Sequence, residues 1–306
     1  MSKLVDWKIK ILCLPYFSKN KRRQVRDKLR QKFGVLPTAA AQIFINSVTQ
    51  KIKGLQQRTK QTKILVIGDS HAQFGVLPFA LGGGTSGYNF AFTSNSLYED
   101  LQTLKYAHKI CPNLEQVVLV VSFYNCGFNL AMGAEAWRRD IVAKCLGVNF
   151  TENNNPHTDA EIWSLAIDEL KPDVNFYCVQ GYDFAGNHKT AFPQKKIEER
   201  VGGHYKLFKK YKNQLPYLEK ICDYCEQNKL KLLLVNTPVR RDYQECLDNM
   251  KDKDEDLLSG IKNIAQTKGV KFLNPVGFEV DDFADADHLS FEGALKLTRQ
   301  INEALC

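Results

Sequence analysis

The sequence predicts an α/β protein built on a parallel β-sheet. Short runs that are apolar at every position alternate along the chain with longer stretches of helical apolar period. A strand that reads as a continuous apolar run is typical of a parallel sheet, because helices cover both of its faces. Strands of this kind alternating with helices indicate helices packed on one parallel sheet.

The elements of the N-terminal half follow from local pattern. A helical apolar rhythm over 37–55 precedes the first strand at 64–67, where four apolar residues run into a glycine turn. A glycine-rich loop then leads to a short aromatic strand at 88–92. A helix at 96–108 and an apolar strand at 116–122 complete this half.

The C-terminal half repeats the alternation. The pattern predicts a helix, two strands and a closing helix, at 215–228, 229–236, 270–274 and 293–305. The intervening stretch is too long for one crossover and contains polar loops, so it predicts an insertion at about 126–212 that forms a cap or substrate region. We therefore expect one catalytic domain over 61–306.

Composition narrows the class of protein. Hydrophobic residues make up 44% and charged residues 25% of the 306 residues. These values are close to the averages for globular domains and exclude a disordered chain, a collagen-like fibre and a polytopic membrane protein. Nine scattered cysteines indicate reduced thiols in the cytosol. Cys222 and Cys225 fall in a predicted helix with no second pair at zinc spacing, so we expect no metal site.

The formal charge of +8 is an average over two unlike parts. Residues 1–63 hold sixteen Lys/Arg and two acidic residues, a local charge of +14, while 64–306 carries −6. Aromatic and aliphatic residues mix with lysines over 7–17, and a basic cluster follows at 19–30. The pattern predicts a basic amphipathic helical extension over 1–60 whose residues 1–33 bind an anionic membrane surface.

The apolar run of this extension is too short to span a bilayer and makes a poor signal peptide, since Lys8, Lys10 and Pro15 interrupt it. The predicted location is therefore cytoplasmic, peripheral on the inner face of the cell membrane. The alternative is a solvated basic helix that packs on the body. We expect no nucleic-acid partner, because no nucleic-acid motif accompanies the charge.

Two short motifs carry the candidate chemistry. Gly68-Asp69-Ser70-His71 follows the first strand, and Asp285-Ala-Asp-His288 precedes the last helix. A serine at a strand-to-helix turn lies at the carboxyl edge of the sheet, where open α/β proteins bind ligands. Its hydroxyl becomes a nucleophile when a histidine takes the proton and a carboxylate orients that histidine. The alternative is that Ser70, Asp285 and His288 only cap helices.

With these two motifs in this order, the sequence resembles the SGNH (GDSL-type) hydrolase family. The resemblance covers roughly 61–125 and 229–306. It implies a flavodoxin-like three-layer α/β/α fold and acyl-ester chemistry, with Ser70 as nucleophile, His288 as base and Asp285 as its orienting acid. It implies no cofactor, although a transferase would use an acyl donor such as acetyl-CoA.

The resemblance also implies an oxyanion hole. The family's second block places a glycine where this chain has Ser94, whose backbone N–H keeps the role available. The third block supplies an asparagine, and Asn125 is the nearest match, one residue later than the family pattern. The implied donors are therefore the Ser70 and Ser94 backbone N–H groups and the Asn125 amide. Losing one such donor typically costs about 2.7–4 kcal/mol of transition-state stabilisation.

Five further residues are candidates for substrate binding, with structural roles as the alternatives. Asp69 and His71 flank the nucleophile, and His71 either contacts substrate or packs. Arg240 and Arg241 follow a predicted strand end and hold an anionic substrate or lie in a solvated loop. His204 in the insertion lines the site or lies at the surface. The same alternatives apply to His188, which lies in the same insertion.

We expect a serine-dependent acyl-ester hydrolase or O-acyltransferase, with acetyl as the expected acyl group. The extension loosely resembles those of bacterial surface-polysaccharide biosynthesis enzymes, which implies a cell-surface polysaccharide or its precursor as substrate. Three alternatives stay open. They are a lipid or small-ester esterase of the same fold, a phosphate-linked group transferase in capsule biosynthesis, and a non-catalytic glycan-binding descendant.

Overall fold

The computed structural model describes residues 39–132, 135–148, 150, 178–184, 193–210, 214–252 and 255–306. The predicted membrane-binding segment 1–33, His188 and much of the predicted insertion lie outside these residues. Within the described segments, none of the helices combines the length and the apolar content that crossing a bilayer requires.

The described elements alternate as the sequence predicts. The strands are β1 (Ile64–Gly68), β2 (Gly87–Asn89), β3 (Gln116–Val121), β4 (Cys178–Val179), β5 (Tyr182–Asp183), β6 (Lys231–Asn236) and β7 (Lys271–Leu273). The helices are α1 (Ala39–Gln57), α2 (Ser70–Gly75), α3 (Leu97–Ile110), α4 (Trp137–Leu146), α5 (Gln194–Lys210), α6 (Leu215–Gln227), α7 (Arg241–Met250), α8 (Ser259–Thr267) and α9 (Phe291–Leu305).

Five strands form one parallel sheet in the order β2-β1-β3-β6-β7. The chain leaves β1 towards β2 on one side and then returns to β3 on the other side of β1. The point where the strand order reverses therefore lies between β1 and β3. In open α/β sheets, ligands generally bind at the carboxyl ends of the strands beside such a point. The predicted α/β class with a parallel sheet is confirmed. A separate antiparallel pair joins β4 and β5.

Both faces of the sheet are buried, which explains the continuous apolar runs. Ile64 and Val66 of β1 pack in one cluster with residues of α2 and α9. Leu65 and Ile67, which alternate onto the opposite face, are 0% exposed. Helix α6 contacts both α3 and α8. The three helices α3, α6 and α8 contact the strands β1, β6 and β7 respectively. A half-solvated sheet would instead show polar residues at every second position.

Most predicted boundaries agree with the structure within two residues, and the exceptions have local causes. The strand predicted at 88–92 ends as β2 at Asn89, although the N–H groups of Phe90 and Phe92 still donate to the carbonyls of Val66 and Gly68. Helices α7 and α8 were not predicted, because ten and nine residues are too few to show an apolar period clearly.

The chain divides into two compact units, 1–49 with 131–176 and 50–130 with 177–306. In the first unit, Phe44 of α1 and Trp137 of α4 pack edge to face with centroids 5.7 Å apart, and the Arg138 guanidinium lies over both rings. The second unit holds the sheet and also α5, which lies inside the predicted insertion.

A buried lysine anchors the end of α1 to the segment after β2. Lys51 is 0% exposed, and its ammonium donates to the carbonyl of Ala91 at 2.7 Å. The ammonium also lies 5.6 Å from the centroid of the Phe92 ring. Burial lowers the pKa of Lys51 to about 8. The segment leading to Ser94 is therefore held by a specific backbone contact as well as by packing.

We predict that Gly68→Ala lowers the free energy of unfolding by about 3 kcal/mol, because Gly68 combines positive φ with a close approach. Its φ is 135°, and an added Cβ would lie 2.8 Å from the Val120 carbonyl oxygen and 2.9 Å from the Ala72 Cβ. Urea titration measures the loss.

Gly269→Ala is the matched control for this substitution. Gly269 also has positive φ, at 62°, but an added Cβ there meets no atom within 4 Å. We expect the control to cost about 1 kcal/mol, which is the cost of the backbone conformation without the clash. Equal losses at the two positions would contradict the close-approach explanation.

Candidate active site

Ser70 is positioned by the turn between β1 and α2. Gly68 makes the turn at positive φ, and Asp69 then caps α2 by accepting a hydrogen bond from the backbone N–H of His71 at 2.9 Å. A capping aspartate satisfies one of the free N–H groups at a helix start. Ser70 is consequently the first helical residue, at the carboxyl edge of the sheet beside the reversal of strand order.

The second motif forms a tight loop before α9. The Asp285 carboxylate accepts from the backbone N–H groups of Asp287 at 3.1 Å and His288 at 2.8 Å. The N–H of Ala284 donates to the carbonyl of His288, and Ser290 caps α9. The spacing of three residues therefore turns both side chains of the Asp-x-x-His motif to one side.

These two segments, 215 residues apart in sequence, meet in a chain of hydrogen-bonding groups. The Oγ of Ser70 lies 2.9 Å from Nε2 of His288, and Nδ1 of His288 lies 3.0 Å from Oδ2 of Asp285. Burial disfavours the Asp285 carboxylate, but the hydrogen bond and charge of His288 lower the pKa of Asp285 below its ordinary value. The ionised Asp285 can orient His288, and His288 can accept the Ser70 proton.

A second histidine lies beneath the first. The rings of His71 and His288 stack with centroids 5.0 Å apart and planes 21° apart. Nδ1 of His71 lies 3.1 Å from Oδ1 of Asp69, and Nε2 lies 3.3 Å from Oδ2 of Asp287. Burial opposes charge on the ring, yet the charge of Asp69 and hydrogen bonds to both carboxylates raise the pKa of His71 to about 10.

Arg200 of α5 connects the two layers. Its Nη1 contacts Oδ2 of Asp285 at 3.3 Å and forms a short hydrogen bond with Oδ1 of Asp287. Burial disfavours the Asp287 carboxylate, but the hydrogen bond from His71 and the charges of its histidine neighbours hold the pKa of Asp287 well below its ordinary value. A side chain from the predicted insertion thus bridges the two acidic residues of the Asp-x-Asp-His segment.

The predicted oxyanion residues lie in defined local structure. Ser94 has φ 65°, the left-handed conformation that favours the glycine the family has at this position. The preceding Thr93 donates from its N–H and its hydroxyl to Oε1 of Gln73, at 2.7 and 2.9 Å. Asn125 accepts from the N–H of Ser122 and donates to Oδ2 of Asp69 at 3.2 Å. The Asn125 amide thus already has a carboxylate partner.

The other predicted binding residues are engaged with protein partners. Arg240 forms a bidentate pair with Asp242, at 2.8 and 2.7 Å, and Arg241 is a largely exposed residue paired with Glu245. His71 is buried and bonds two carboxylates, and it also lines the cavity described below.

His204 is half-buried rather than a plain surface histidine. Its ring stacks on Tyr124 at 4.3 Å, and its Nδ1 lies 2.7 Å from the hydroxyl of Tyr243. Burial lowers the pKa of His204 to about 4, so the ring is neutral near pH 7. Of the two alternatives for His204, the surface position does not agree with the structure, because the ring packs against two tyrosines.

Sequence reasoning missed four residues of this region. Arg200, Asp287 and Tyr124 contact candidate residues through their side chains, and Gln73 contacts Thr93, which precedes the candidate Ser94. Two of them left a readable signal. Asp287 stands inside the Asp-x-x-His motif, and Arg200 precedes His204 by four residues, which puts both on one face of a helix. Tyr124 and Gln73 follow no pattern, because their contacts arise only from the fold.

One cluster and one cavity near the candidate site are places among the described residues where a ligand could lie. Ligand atoms of His71, Asp287 and His288 lie within 4.8 Å of one another, but their protein partners leave them unsuited to a cation. Each of the three is already hydrogen-bonded, and Arg200 places a positive charge against Asp287. Separately, a cavity of about 120 Å³ opens beside β3 and β6, with walls that include His71, Ser122, Tyr243 and Lys251.

Comparison with known proteins gives two partial likenesses. The family described as "Protein of unknown function (DUF1574)" matches residues 175–305, which is less than half of the chain. A solved structure from Streptococcus pneumoniae, described provisionally as a platelet activating factor, is similar with a TM-score of 0.44 and 14% identity. That match covers 87% of this chain and 98% of the other. No curated protein matches the sequence. Neither likeness assigns a reaction to the chain.

We predict a pH-dependent stability difference between the wild type and His71→Gln. A histidine whose pKa is raised on folding stabilises the fold fully below its unfolded value of about 6.5, and this stabilisation is lost as pH rises towards the folded value. With the folded pKa at about 10, the wild-type advantage should fall between pH 6.5 and 10. The slope should reach at most about 1.4 kcal/mol per pH unit.

Urea titrations of both proteins at pH 6, 8 and 9.5 measure this difference. His204→Gln is the control, because His204 is neutral in both the folded and unfolded states above about pH 7.5. The stability difference of the control should therefore be constant from pH 8 to 9.5. A His71→Gln difference that is equally constant would mean that the His71 ring is neutral in the folded protein over this pH range.

Proposed function

We propose that this chain is a serine-dependent acyl-ester hydrolase or O-acyltransferase of the SGNH type. The observation that carries the proposal is the chain of contacts from Ser70 through His288 to Asp285, with its two heavy-atom distances of 2.9 and 3.0 Å. A serine, a base and an orienting carboxylate in this geometry recur in acyl-transfer enzymes of unrelated folds. A catalytic triad is therefore recognised by the geometry and the roles of its residues.

The proposed reaction has two halves. The Ser70 oxygen attacks the ester carbonyl carbon while Nε2 of His288 takes the hydroxyl proton, and the resulting oxyanion is tetrahedral. The bond to the leaving alcohol then breaks, and His288 returns the proton to that alcohol. Water or a sugar hydroxyl next loses a proton to His288 and attacks the acyl carbon. The bond between that carbon and the Ser70 oxygen then breaks, and His288 returns the proton to Ser70. Asp285 stays ionised throughout and stabilises the imidazolium.

Backbone and side-chain N–H groups would hold the oxyanion. The candidates are the backbone N–H groups of Ser70 and Ser94, together with the Asn125 amide. Support comes from the left-handed turn at Ser94 and from the position of Asn125 at the end of β3, beside the turn that carries Ser70. Because Asn125 already donates to Asp69, only its second amide hydrogen could serve the oxyanion.

For the acceptor we propose a sugar hydroxyl of a cell-surface polysaccharide or its precursor, with acetyl as the transferred group. A phosphate-linked group transfer is less favoured, because Arg240 and Arg241 are each paired with a carboxylate. A non-catalytic glycan-binding protein is less favoured, because Ser70 and His288 are within hydrogen-bond distance. A lipid or small-ester esterase would use the same residues and differs only in substrate.

We predict that Ser70→Ala abolishes labelling by a fluorophosphonate probe and lowers p-nitrophenyl acetate hydrolysis at least about 1,000-fold. The alkoxide formed with help from His288 is the group that attacks both reagents. Gel fluorescence measures the labelling, and absorbance of released nitrophenol measures the hydrolysis.

Ser86→Ala is the matched control. Ser86 precedes β2 and donates to the Gly82 carbonyl, at the amino end of the sheet and away from the site. The control should label as the wild type does. Labelling that survives in Ser70→Ala, or a wild type that never labels, would count against a serine acyl-enzyme.

We also propose that residues 1–33 bring the enzyme to an anionic membrane surface on the cytoplasmic side. The support is the charge of +14 in residues 1–63, against −6 in the rest of the chain. Basic residues near an anionic bilayer contribute about 1 kcal/mol each, and this attraction is screened by salt.

Vesicle flotation tests the membrane proposal. The full chain should float with vesicles of phosphatidylcholine and phosphatidylglycerol at 3:1, and not with phosphatidylcholine alone. Replacing the seven Lys/Arg of 19–30 by Gln should reduce the floated fraction at least about tenfold. Equal flotation of the wild type and the charge-deleted variant would refute the proposal.

A further inference from the structure

His71 takes no part in the proposed reaction, yet it has more polar contacts than its role as a helix residue requires. Its side chain is 2% exposed, and its two ring nitrogens face the carboxylates of Asp69 and Asp287. A buried polar ring is stable only when its hydrogen-bonding atoms are matched. The contacts identify which atoms of the ring carry protons.

Both ring nitrogens of His71 act as donors. The Tyr124 hydroxyl donates to Oδ2 of Asp69 at 2.7 Å, so its oxygen is left as an acceptor 3.0 Å from Nδ1 of His71. Nδ1 therefore faces the Asp69 carboxylate and the Tyr124 oxygen, with the Ser122 hydroxyl further away at 3.4 Å, and Nε2 faces the Asp287 carboxylate. A histidine with acceptors at both nitrogens is an imidazolium, because the neutral ring has only one N–H.

This imidazolium lies against the ring of His288. The centroids are 5.0 Å apart in a near-parallel stack, and Nδ1 of His288 lies 3.8 Å from Oδ1 of Asp287. With His288 neutral, the carboxylates of Asp69, Asp285 and Asp287 exceed the cations His71 and Arg200 by one charge. When His288 takes a proton, the cluster becomes neutral. The charge of His71 thus opposes a proton on His288, and the three carboxylates favour it.

We propose that His71 is a positioning residue for His288, held as a cation between Asp69 and Asp287, and that it sets the pH range in which His288 acts as the base for Ser70. This inference rests on the proposed function. Removing the cation should let His288 hold a proton to higher pH, since a like charge nearby disfavours protonation.

Other charged or titratable groups also face this pair of rings. Asp69 comes from the start of α2, Tyr124 from the segment after β3, Asp285 and Asp287 from the loop before α9, Arg200 and His204 from α5, and Tyr243 from α7. His204 is neutral near pH 7 because burial lowers its pKa to about 4. The tyrosines are neutral as well, because burial raises the pKa of each well above 10. With His288 neutral, His71 and Arg200 are therefore the two cations of this group. Replacing His71 by the neutral residue Gln removes one of these charges.

The rate of fluorophosphonate labelling between pH 5 and 9.5, measured on the full chain, tests this inference. We expect His71→Gln to move the acidic limb of the profile upwards by about one pH unit, which is about a tenfold change in proton concentration. Arg200→Gln removes the other cation of this group and should also move the limb upwards. A merely structural role would lower the rate at every pH and leave the limb in place.

His108→Gln is the control, because His108 lies on α3 and bonds Tyr224, far along the chain from these motifs. It should change neither the rate nor the limb. A second measurement, the protonation of the two His71 nitrogens, uses the wild-type protein and therefore depends neither on labelling nor on the stability of a variant. Long-range proton–nitrogen NMR on wild-type protein should show both His71 nitrogens protonated at pH 8, with His71→Gln used to assign the signals.

The outcomes separate the inference from the proposed function. Ser70-dependent labelling with an unmoved limb in both His71→Gln and Arg200→Gln would overturn the inference and leave the acyl-enzyme intact. An NMR spectrum with a single protonated His71 nitrogen at pH 8 would overturn the inference whatever the labelling shows. A wild type that never labels would overturn the proposed function. In that case, an upward shift of the His288 titration in His71→Gln would still establish the coupling of the two rings.

Discussion

The buried carboxylate of Asp69 is the interaction on which this arrangement depends. One oxygen accepts from the backbone N–H of His71, which starts α2, and from the His71 ring. The other accepts from Tyr124 and Asn125, which follow β3. A single ionised group therefore ties the turn that carries Ser70 to the end of the neighbouring strand. A carboxylate with several donors stays charged although it is buried, and hydrogen bonds to charged groups are the stronger kind.

The sheet topology explains why this tie lies where chemistry is possible. Strand order reverses between β1 and β3, so the segments that follow these strands diverge and leave a crevice at their carboxyl ends. The loop before α9 reaches the same edge and brings Asp285, Asp287 and His288. Helix α5 adds Arg200 from the side. Three separate segments thus contribute charged groups, and each of these charges lies beside one of opposite sign.

Much of this could be read from local pattern, for identifiable reasons. The strands are buried on both faces, so each appears as a run without polar interruption, and Gly68-Asp69-Ser70 marks the turn. The family resemblance carried by the two motifs implies the meeting of Ser70 and His288. Boundaries were less accurate at β2, where bonding to β1 continues beyond the strand. The packing of His204 could not be predicted from the sequence, because the tyrosines that bury it lie in other segments.

The linear order of residues was enough for the fold class and for the contrast between a +14 segment and a −6 body, whereas the pairing of the two motifs was what the family resemblance implied. The first two are properties of neighbours along the chain, and periodicity and composition record them. The second histidine layer, the bridge made by Arg200 and the engagement of Asn125 with Asp69 required the folded chain. They join residues between about 50 and 220 positions apart, and local pattern contains no information on which distant side chains share one buried space.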